Sequence, residues 1–490
     1  MCGRRDARGR AAHLTALLIA LAGCAVGPDF VRPAPPGAPG YTAGTLPAAT
    51  APADERAQRF MWPAPVATDW WRLFRSADLD ARIGRALAAN PTLAAARASL
   101  RRSEDDLRAG YAVFLPQIDA STSAIRQKPF LDISGVPRHT FDLYTLAGTV
   151  DYVLDVFGGE RRAVESQRAQ VETQEYETAA AYLTLTGNVV NATINEAAYA
   201  AQLDAIRGLA AIEADQVAIV RAQADAGTVP YSSVLLLETQ RAATDAQVPA
   251  LEQRLAETRH LLATLLGEEP GTFTAAPVAL TSLELPADVP VTLPSEMARQ
   301  RPDVLAAEAS LHQASAEVGV ATAAMFPHIT LTAVYGWDGT TTAALISGPN
   351  AAWQLGAQLA TPVFHGGALW FQRKAAIDVY TRSLATYRQT VLAALAQVAD
   401  VLRALEHDAV EVAAQARQEA AASEALRLTA VNYESGTVNY LDVLTANIQE
   451  NQAIIARVGG RAQRLQDTAA LFVALGGGWW DAKDEIVGRD

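Results

Sequence analysis

Two kinds of apolar pattern alternate along the chain. In residues 328–337 the period is two: Ile329, Leu331, Ala333, Tyr335 and Trp337 fall on one face, and His328, Thr330, Thr332 and Gly336 on the other. After the loop "LISGPN" a second strand is expected, with Trp353, Leu355, Ala357 and Leu359 alternating with Gln354, Gly356 and Gln358. Earlier in the chain Tyr144, Leu146, Val150, Tyr152 and Leu154 alternate with Thr145, Thr149, Asp151 and Asp155. The pattern predicts hairpins with one apolar and one polar face. A glycine pair follows each hairpin, Gly158-Gly159 and Gly366-Gly367, where the missing Cβ relieves crowding as strand turns into helix. Beyond each pair lies a stretch with no proline, rich in Ala, Glu, Arg and Gln, long enough for a helix of about 65–70 residues and roughly 100 Å. Such length points to a coiled-coil rod. The rods stop at "ADAGTVPYSS" and "YESGTVNYLD", where Gly227 and Gly436 suit the left-handed residue that ends a helix, and a return helix is expected after each.

These elements occur twice. "NPTLAAARASL" from Asn90 matches "RPDVLAAEASL" from Arg301, and "FLPQIDAS" from Phe114 matches "MFPHITLT" from Met325. Pro91 pairs with Pro302, Pro116 with Pro327, the two glycine pairs with each other, and "AGTVPYSSVLLLETQ" with "SGTVNYLDVLTANIQ", all at an offset of about 210 residues. Punctuation shared in one order at one spacing marks a duplication, not two unrelated Ala-rich regions. The reading divides the chain into a signal segment 1–23, a linker 24–70, a first repeat 71–285, a second repeat 286–478 and a C-terminal tail 479–490. Strands are expected at about 116–127 and 142–155, then 327–338 and 351–363. Helices are expected at about 158–226 and 231–267, then 366–435 and 439–475. The fold class is α+β, a duplicated unit of strand hairpin and long helical hairpin.

The N-terminus adds a destination. Arg4, Arg5, Arg8 and Arg10 precede an apolar run from Leu14 to Ala22, too short to span a bilayer and typical of a secretory signal. It ends in Leu21-Ala22-Gly23-Cys24, which resembles a bacterial lipobox; that resemblance implies cleavage before Cys24 and acylation of its thiol, with diacylglycerol and an N-acyl group. Ala25 follows, not the Asp that retains such lipoproteins at the inner membrane. Cys2 leaves with the signal, so no thiol remains for a disulfide or metal. The segment "VRPAPPGAPG" reads as an extended tether without a core of its own.

Composition narrows the function classes. Half of the chain is apolar (50%), and the formal net charge is −13, which argues against broad nucleic-acid binding. No run after Cys24 is a transmembrane helix, so any membrane span must come from strands closed into a barrel. One chain offers four strands, and even small barrels need about eight. Either the sheet is soluble and open, or several chains combine; three would give twelve strands.

The segments "CAVGPDF" at Cys24, "DWWRLF" at Asp69, "LDVFGGERR" at Leu154, "RPDVLAAEASL" at Arg301, "FPHITL" at Phe326, "PVFHGG" at Pro362, "YLDVLTA" at Tyr440 and "ALGGGW" at Ala474 span nearly the whole chain. Together they resemble the TolC family of outer-membrane efflux proteins, and more narrowly the NodT-type lipoproteins of resistance-nodulation-division (RND) pumps. The resemblance implies a homotrimer with a twelve-stranded β-barrel in the outer membrane, continuous with a helical barrel in the periplasm. It implies a passive exit duct for small molecules, served by an inner-membrane RND pump and a periplasmic adaptor, in contact with outer-membrane lipid and not with nucleic acid.

The resemblance also assigns residues. Asp442 lies where some members carry a gate aspartate, and Thr445 where a second acid often sits. Tyr433 matches a tyrosine that bonds across neighbouring helices, with Ser232 as its partner. Val438 and Ser233 stand at the positions of an Arg–Asp lock, which is therefore missing. Gly227, Thr228 and Val229 with Gly436, Thr437 and Val438 would form the tips that meet the adaptor. The plainer role of Asp442 is a solvated charge at a helix start, favoured by the macrodipole; that of the tips is helix capping.

No H-E-x-x-H, Walker A or G-x-S-x-G pattern is present, Ser232-Ser233 lacks a nearby base, and His365 reads as a strand-end residue. No enzyme, no metal and no cofactor beyond the lipid on Cys24 is expected. Two other readings stand beside the efflux duct: a conduit of a type I protein secretion system, and a rod-like structural lipoprotein whose sheet is soluble.

Overall fold

The computed structural model describes residues 25–44, 46–53, 57–128, 140–274 and 276–488. The signal segment, Cys24 and the last two residues of the tail lie outside them. The chain divides into two compact units. One holds the residues up to Pro33, Leu100–Gln174 and Ala306–Arg388; the other holds Ala34–Ser99, Glu175–Leu305 and Gln389–Asp490.

The first unit is built on a four-stranded antiparallel sheet: β1 (Gln117–Gln127), β2 (Phe141–Leu154), β3 (His328–Gly339) and β4 (Ala351–Ala360), in that order. Two hairpins, one from each repeat, join through β2 and β3. The register stacks like on like. Ile118, Val150, Ala333 and Leu355 form one row across all four strands, and Leu154, Ile329 and Leu359 another. The opposite face carries the polar set, where Thr332 Oγ1 donates to Asp151 Oδ1 at 2.6 Å and Thr145 Oγ1 donates to Asp338 Oδ1 at 2.7 Å. Leu355 is 74% exposed, Trp353 73% and Ile118 77%, so the apolar face is uncovered in a single chain. Each such side chain forgoes about 1.5–3 kcal/mol of burial. β4 stops at Ala360, before the expected 363, because Pro362 has no N–H to continue a ladder.

Helices Ala77–Ala89 (α1), Pro91–Gly110 (α2), Gly159–Asp225 (α3), Tyr231–Asp245 (α4), Gln247–Leu265 (α5), Pro302–Ala323 (α6), Ala368–Glu434 (α7) and Tyr440–Ala474 (α8) make up most of the rest. α3 and α7 each run 67 residues without interruption. The return helix expected at 231–267 is instead two, α4 and α5, parted at Ala246. Pro249 is the cause: it cannot donate to the carbonyl of Asp245, and its ring crowds that carbonyl. The second repeat has Val458 at the matching place, and α8 continues unbroken over 35 residues.

The second unit holds the main core, with Trp70, Phe74 and Phe472 completely buried at its centre. The Trp70 and Phe472 rings lie 5.4 Å apart, and Phe74 meets Phe472 edge-on at 6.5 Å. Neither the linker nor the tail is loose among the described residues. The described residues of the expected linker are mostly extended, with the short strand Arg59–Met61, but Tyr41 Oη donates to Thr292 O at 3.0 Å, and the buried Gln58 Nε2 donates to Thr468 Oγ1 at 3.1 Å. A Pro/Ala/Gly composition removes internal structure without preventing an extended chain from bonding to a neighbour. The tail docks likewise: Trp479, Ile486 and Val487 are buried, and Trp479 Nε1 donates to Gln300 O at 2.7 Å.

Charges also meet inside this unit, some buried and some half-buried. Glu196 is 1% exposed and pairs with Arg82 at 2.8 Å and Arg259 at 3.0 Å. On α7, burial and then the neighbouring carboxylate of Asp467 push the Asp408 carboxyl up to about 7; Glu411 acts the same way and Arg464 opposes. Native Asp408 therefore holds a proton that the unfolded chain, with a carboxyl near 3.9, gives up. Its stabilising contribution is complete below that value and is lost as pH rises through about 7.

Two outcomes are expected. Arg82→Ala leaves Glu196 buried with only its half-exposed partner and lowers stability by about 3 kcal/mol in denaturant unfolding of the solubilised protein. Asp408→Asn raises the apparent Tm at pH 8 by about 2–4 °C and flattens its dependence between pH 5 and 8; a lower Tm at pH 8 would contradict the proton-holding role.

Candidate functional site

The turns that join α3 to α4 and α7 to α8 hold every tip residue singled out in the sequence. Both helices end in the same hydrogen-bond pair. Gly227 N donates to Ala224 O and Thr228 N to Gln223 O, each at 2.9 Å; Gly436 N donates to Tyr433 O and Thr437 N to Asn432 O, again at 2.9 Å. This is a Schellman end, and it needs a left-handed residue. Gly227 has φ 76° and Gly436 φ 73°, with open space where a Cβ would stand, so backbone conformation rather than crowding selects glycine. Each threonine adds a bond from its hydroxyl to the same carbonyl, Thr228 Oγ1 to Gln223 O at 2.8 Å and Thr437 Oγ1 to Asn432 O at 2.9 Å. The same ends recur where the return helices stop, at Gly267 and Gly476.

The two tips pack on each other. Val217 and Val220 of α3, Val234 and Leu237 of α4 and Leu444 of α8 form one buried cluster, with Val229 and Tyr440 against it. Their starts differ. Asn439 caps α8 in a capping box: its Oδ1 accepts from Asp442 N at 3.1 Å, and Asp442 Oδ2 accepts from Asn439 N at 3.0 Å. Such a box stabilises a helix by about 1 kcal/mol. In the first repeat Pro230 holds the capping place and offers no side-chain bond.

Asp442 thus has a local structural task, with its carboxylate still exposed. Thr445 is exposed and returns its hydroxyl to Leu441 O at 3.0 Å. The Tyr433 ring meets Tyr440 at 5.2 Å, and among the hydrogen bonds of the described residues none joins Tyr433 to Ser232 within the chain. Burial raises the Tyr440 hydroxyl pKa, with Tyr433 and Asp215 adding to the shift. Ser232 is exposed, Ser233 and Val438 half-buried.

Two further acids were not singled out in the sequence. Asp225 is the last residue of α3 and Glu434 the last of α7; both are exposed and neither helix has a basic residue in its last turn. A negative charge there opposes the macrodipole at about 0.3–1 kcal/mol each. The signal was present as an absence: residues 222–240 and 428–456 contain no Lys or Arg. The tips are therefore of one sign, with Asp225, Glu434 and Asp442 exposed. Among the described residues no cluster of three or more His, Cys, Asp or Glu could hold a metal ion.

Comparison with known proteins fits this geometry. The outer membrane efflux protein family model matches residues 83–268 and 293–477, one match per repeat. The chain is 31% identical over 428 residues to the pyoverdine export outer membrane protein OpmQ of Pseudomonas aeruginosa, covering 86% of this chain and 90% of that protein. It is 26% identical over 469 residues to nodulation protein T of Rhizobium leguminosarum bv. trifolii, covering 94% and 95%. The solved structure of the outer-membrane channel OprN superposes with a TM-score of 0.82 at 27% identity, over 93% of this chain and 100% of that one. With both repeats matched and the channel architecture shared, the chain belongs to the outer membrane efflux protein family and is an outer-membrane channel of an efflux system.

Proposed function

We propose that three copies of this chain close their sheets edge to edge into a twelve-stranded barrel, and that the duct so formed continues through a barrel of the long helices. The observation that carries the reading is the sheet itself: one continuous apolar face, one hydrogen-bonded polar face, and outer strands β1 and β4 each with one unpaired edge. In a bilayer those edge groups have no water to bond, so only closure satisfies them. The apolar face then meets lipid and the polar face, with Asp119, Asp151 and Asp338, lines the lumen.

The tips form the periplasmic entrance. Three-fold symmetry turns Asp225, Glu434 and Asp442 into rings of like charge, which favour cations and slow anions. Gly227 to Val229 and Gly436 to Val438 meet a periplasmic adaptor, and an inner-membrane RND pump supplies substrate and energy. Tyr433 bonds to Ser232 of a neighbouring copy, where the chain by itself leaves the two apart. Cys24 carries diacylglycerol and an N-acyl chain in the outer membrane. The relatives' efflux and export roles support small molecules as the cargo.

Purified protein in detergent is expected as a particle of three chains, each lighter than the 52.0 kDa full-length chain by its cleaved signal, that conducts ions in planar bilayers; a monomer without conductance would sink the proposal. Asp442→Asn keeps an acceptor for the Asn439 amide and removes only the charge. It is expected to lower the cation-to-anion permeability ratio by about twofold. Unchanged selectivity would leave Asp442 as a helix cap alone.

A further inference from the structure

The stretch that follows Cys24 does not trail from the first unit; it is seated on it. Val26 N donates to Phe157 O at 2.9 Å, at the bend where β2 turns into α3. Asp29 Oδ1 accepts from Arg162 Nη2 at 2.7 Å, and Val26 O receives the Arg162 Nε at 3.4 Å. Phe30 stacks on the His312 ring of α6, centroids 4.4 Å apart and planes 17° from parallel, and Arg32 pairs with Glu308 on the same helix. Beneath, Arg162 Nη1 donates to Glu165 at 2.7 Å and Glu165 in turn meets His312 at 2.9 Å.

The surface has been cleared to admit this segment. A Cβ on Gly158 would stand 2.6 Å from the Ala25 Cα, and one on Gly27 would stand 2.5 Å from the Gly319 Cα of α6. A Cβ on Gly319 would reach 2.7 Å from Arg162 Cγ. Backbone passes over backbone at two points, and only glycine allows that approach. In the second repeat the matching Gly366 has open space around it, and nothing lies within van der Waals reach of its missing Cβ. The first glycine pair thus does more than relieve a bend: it hosts a segment that its duplicate does not. Arg162, 5% exposed, ties bend, segment and α3 together through charge-assisted bonds.

We propose that residues 25–32 are a docking strap that holds the N-terminal membrane anchor at the strand-to-helix bend of the first repeat, with Arg162 as its positioning residue. The inference rests on the reading of Cys24 as the acylated residue, one peptide unit, about 3.8 Å, before Ala25. Through the strap the lipid is held at the level of the bend, and the Pro/Ala/Gly-rich linker beyond Pro33 takes no part in placing it.

The test uses the full-length, membrane-extracted protein with Val31→Cys as the only unmodified thiol, since Cys2 is removed with the signal and Cys24 is acylated. Val31 is 79% exposed, so a nitroxide there reports on the strap without disturbing its contacts. In this background the label is expected to be motionally restricted and to report a single narrow depth relative to the headgroups of phosphatidylglycerol/phosphatidylethanolamine vesicles. Arg162→Ala should shorten its correlation time by about threefold and broaden the depth distribution, with the oligomer and conductance unchanged. Arg162→Lys should restore this only in part, because an ammonium cannot serve Asp29, Glu165 and Val26 O together. Asp29→Asn, at an exposed carboxylate, gives the same direction where the larger change hampers folding. A mobile label with Cys24 acylated would overturn the strap alone, as would a label equally restricted in Arg162→Ala. A Cys24 found free of acyl chains by mass spectrometry would overturn the anchor reading and, with it, the strap's role of placing a lipid.

Discussion

A backbone amide inside a hydrocarbon layer has only other backbone groups to bond with, and this constraint governs the design of the chain. Four strands leave two rows of unmet donors and acceptors, on β1 and on β4. No rearrangement within one polypeptide of this length of strand removes them. Duplication of a hairpin supplies four strands of compatible register, and in the proposed assembly symmetry supplies the rest. The apolar face follows from the same cause, because a strand that must face lipid on one side and water on the other alternates with period two. The long helices inherit their place from it: each continues a hairpin strand beyond a glycine bend.

Much of this was legible in the sequence because period, proline and glycine act locally. Alternation at Ile329 to Trp337 needs no knowledge of the fold to be read as a two-faced strand. Gly227 and Gly436 announce helix ends because their conformation is barred to other residues. Pro249, equally local, is hidden within an otherwise helical pattern, and it divides α4 from α5. What could not be read was whatever depends on partners distant in sequence. Residues 25–53 have the composition of a tether, yet Asp29, Phe30 and Tyr41 find Arg162, His312 and Thr292. Nothing in a Pro/Ala/Gly-rich run indicates what it will lie against.

The helix tips show a similar division. Asp442 was found by position, while its bond to the Asn439 amide emerged only with the turn geometry. Asp225 and Glu434 carry no signal of their own in the sequence, because each, taken alone, is an ordinary acid on a polar helix. Their meaning lies in location, at the end of a dipole that disfavours them, and in the arginine-free windows around them. A charge kept at a helix end that its dipole disfavours is what the proposed role of these acids at an entrance would account for.

The glycine pair at 158–159 and its copy at 366–367 began as equals and are equals no longer. One carries a guest segment wedged against Gly158, and the other meets only Phe371 of its own helix. The two halves have therefore lost interchangeability: an unequal crossover that returned the second bend to the first position would import Phe364 and His365 in place of Val156 and Phe157, and with them a surface shaped for no occupant. A passenger stretch from outside either copy is thus enough to make two bends of common pattern answer differently to the same added side chain.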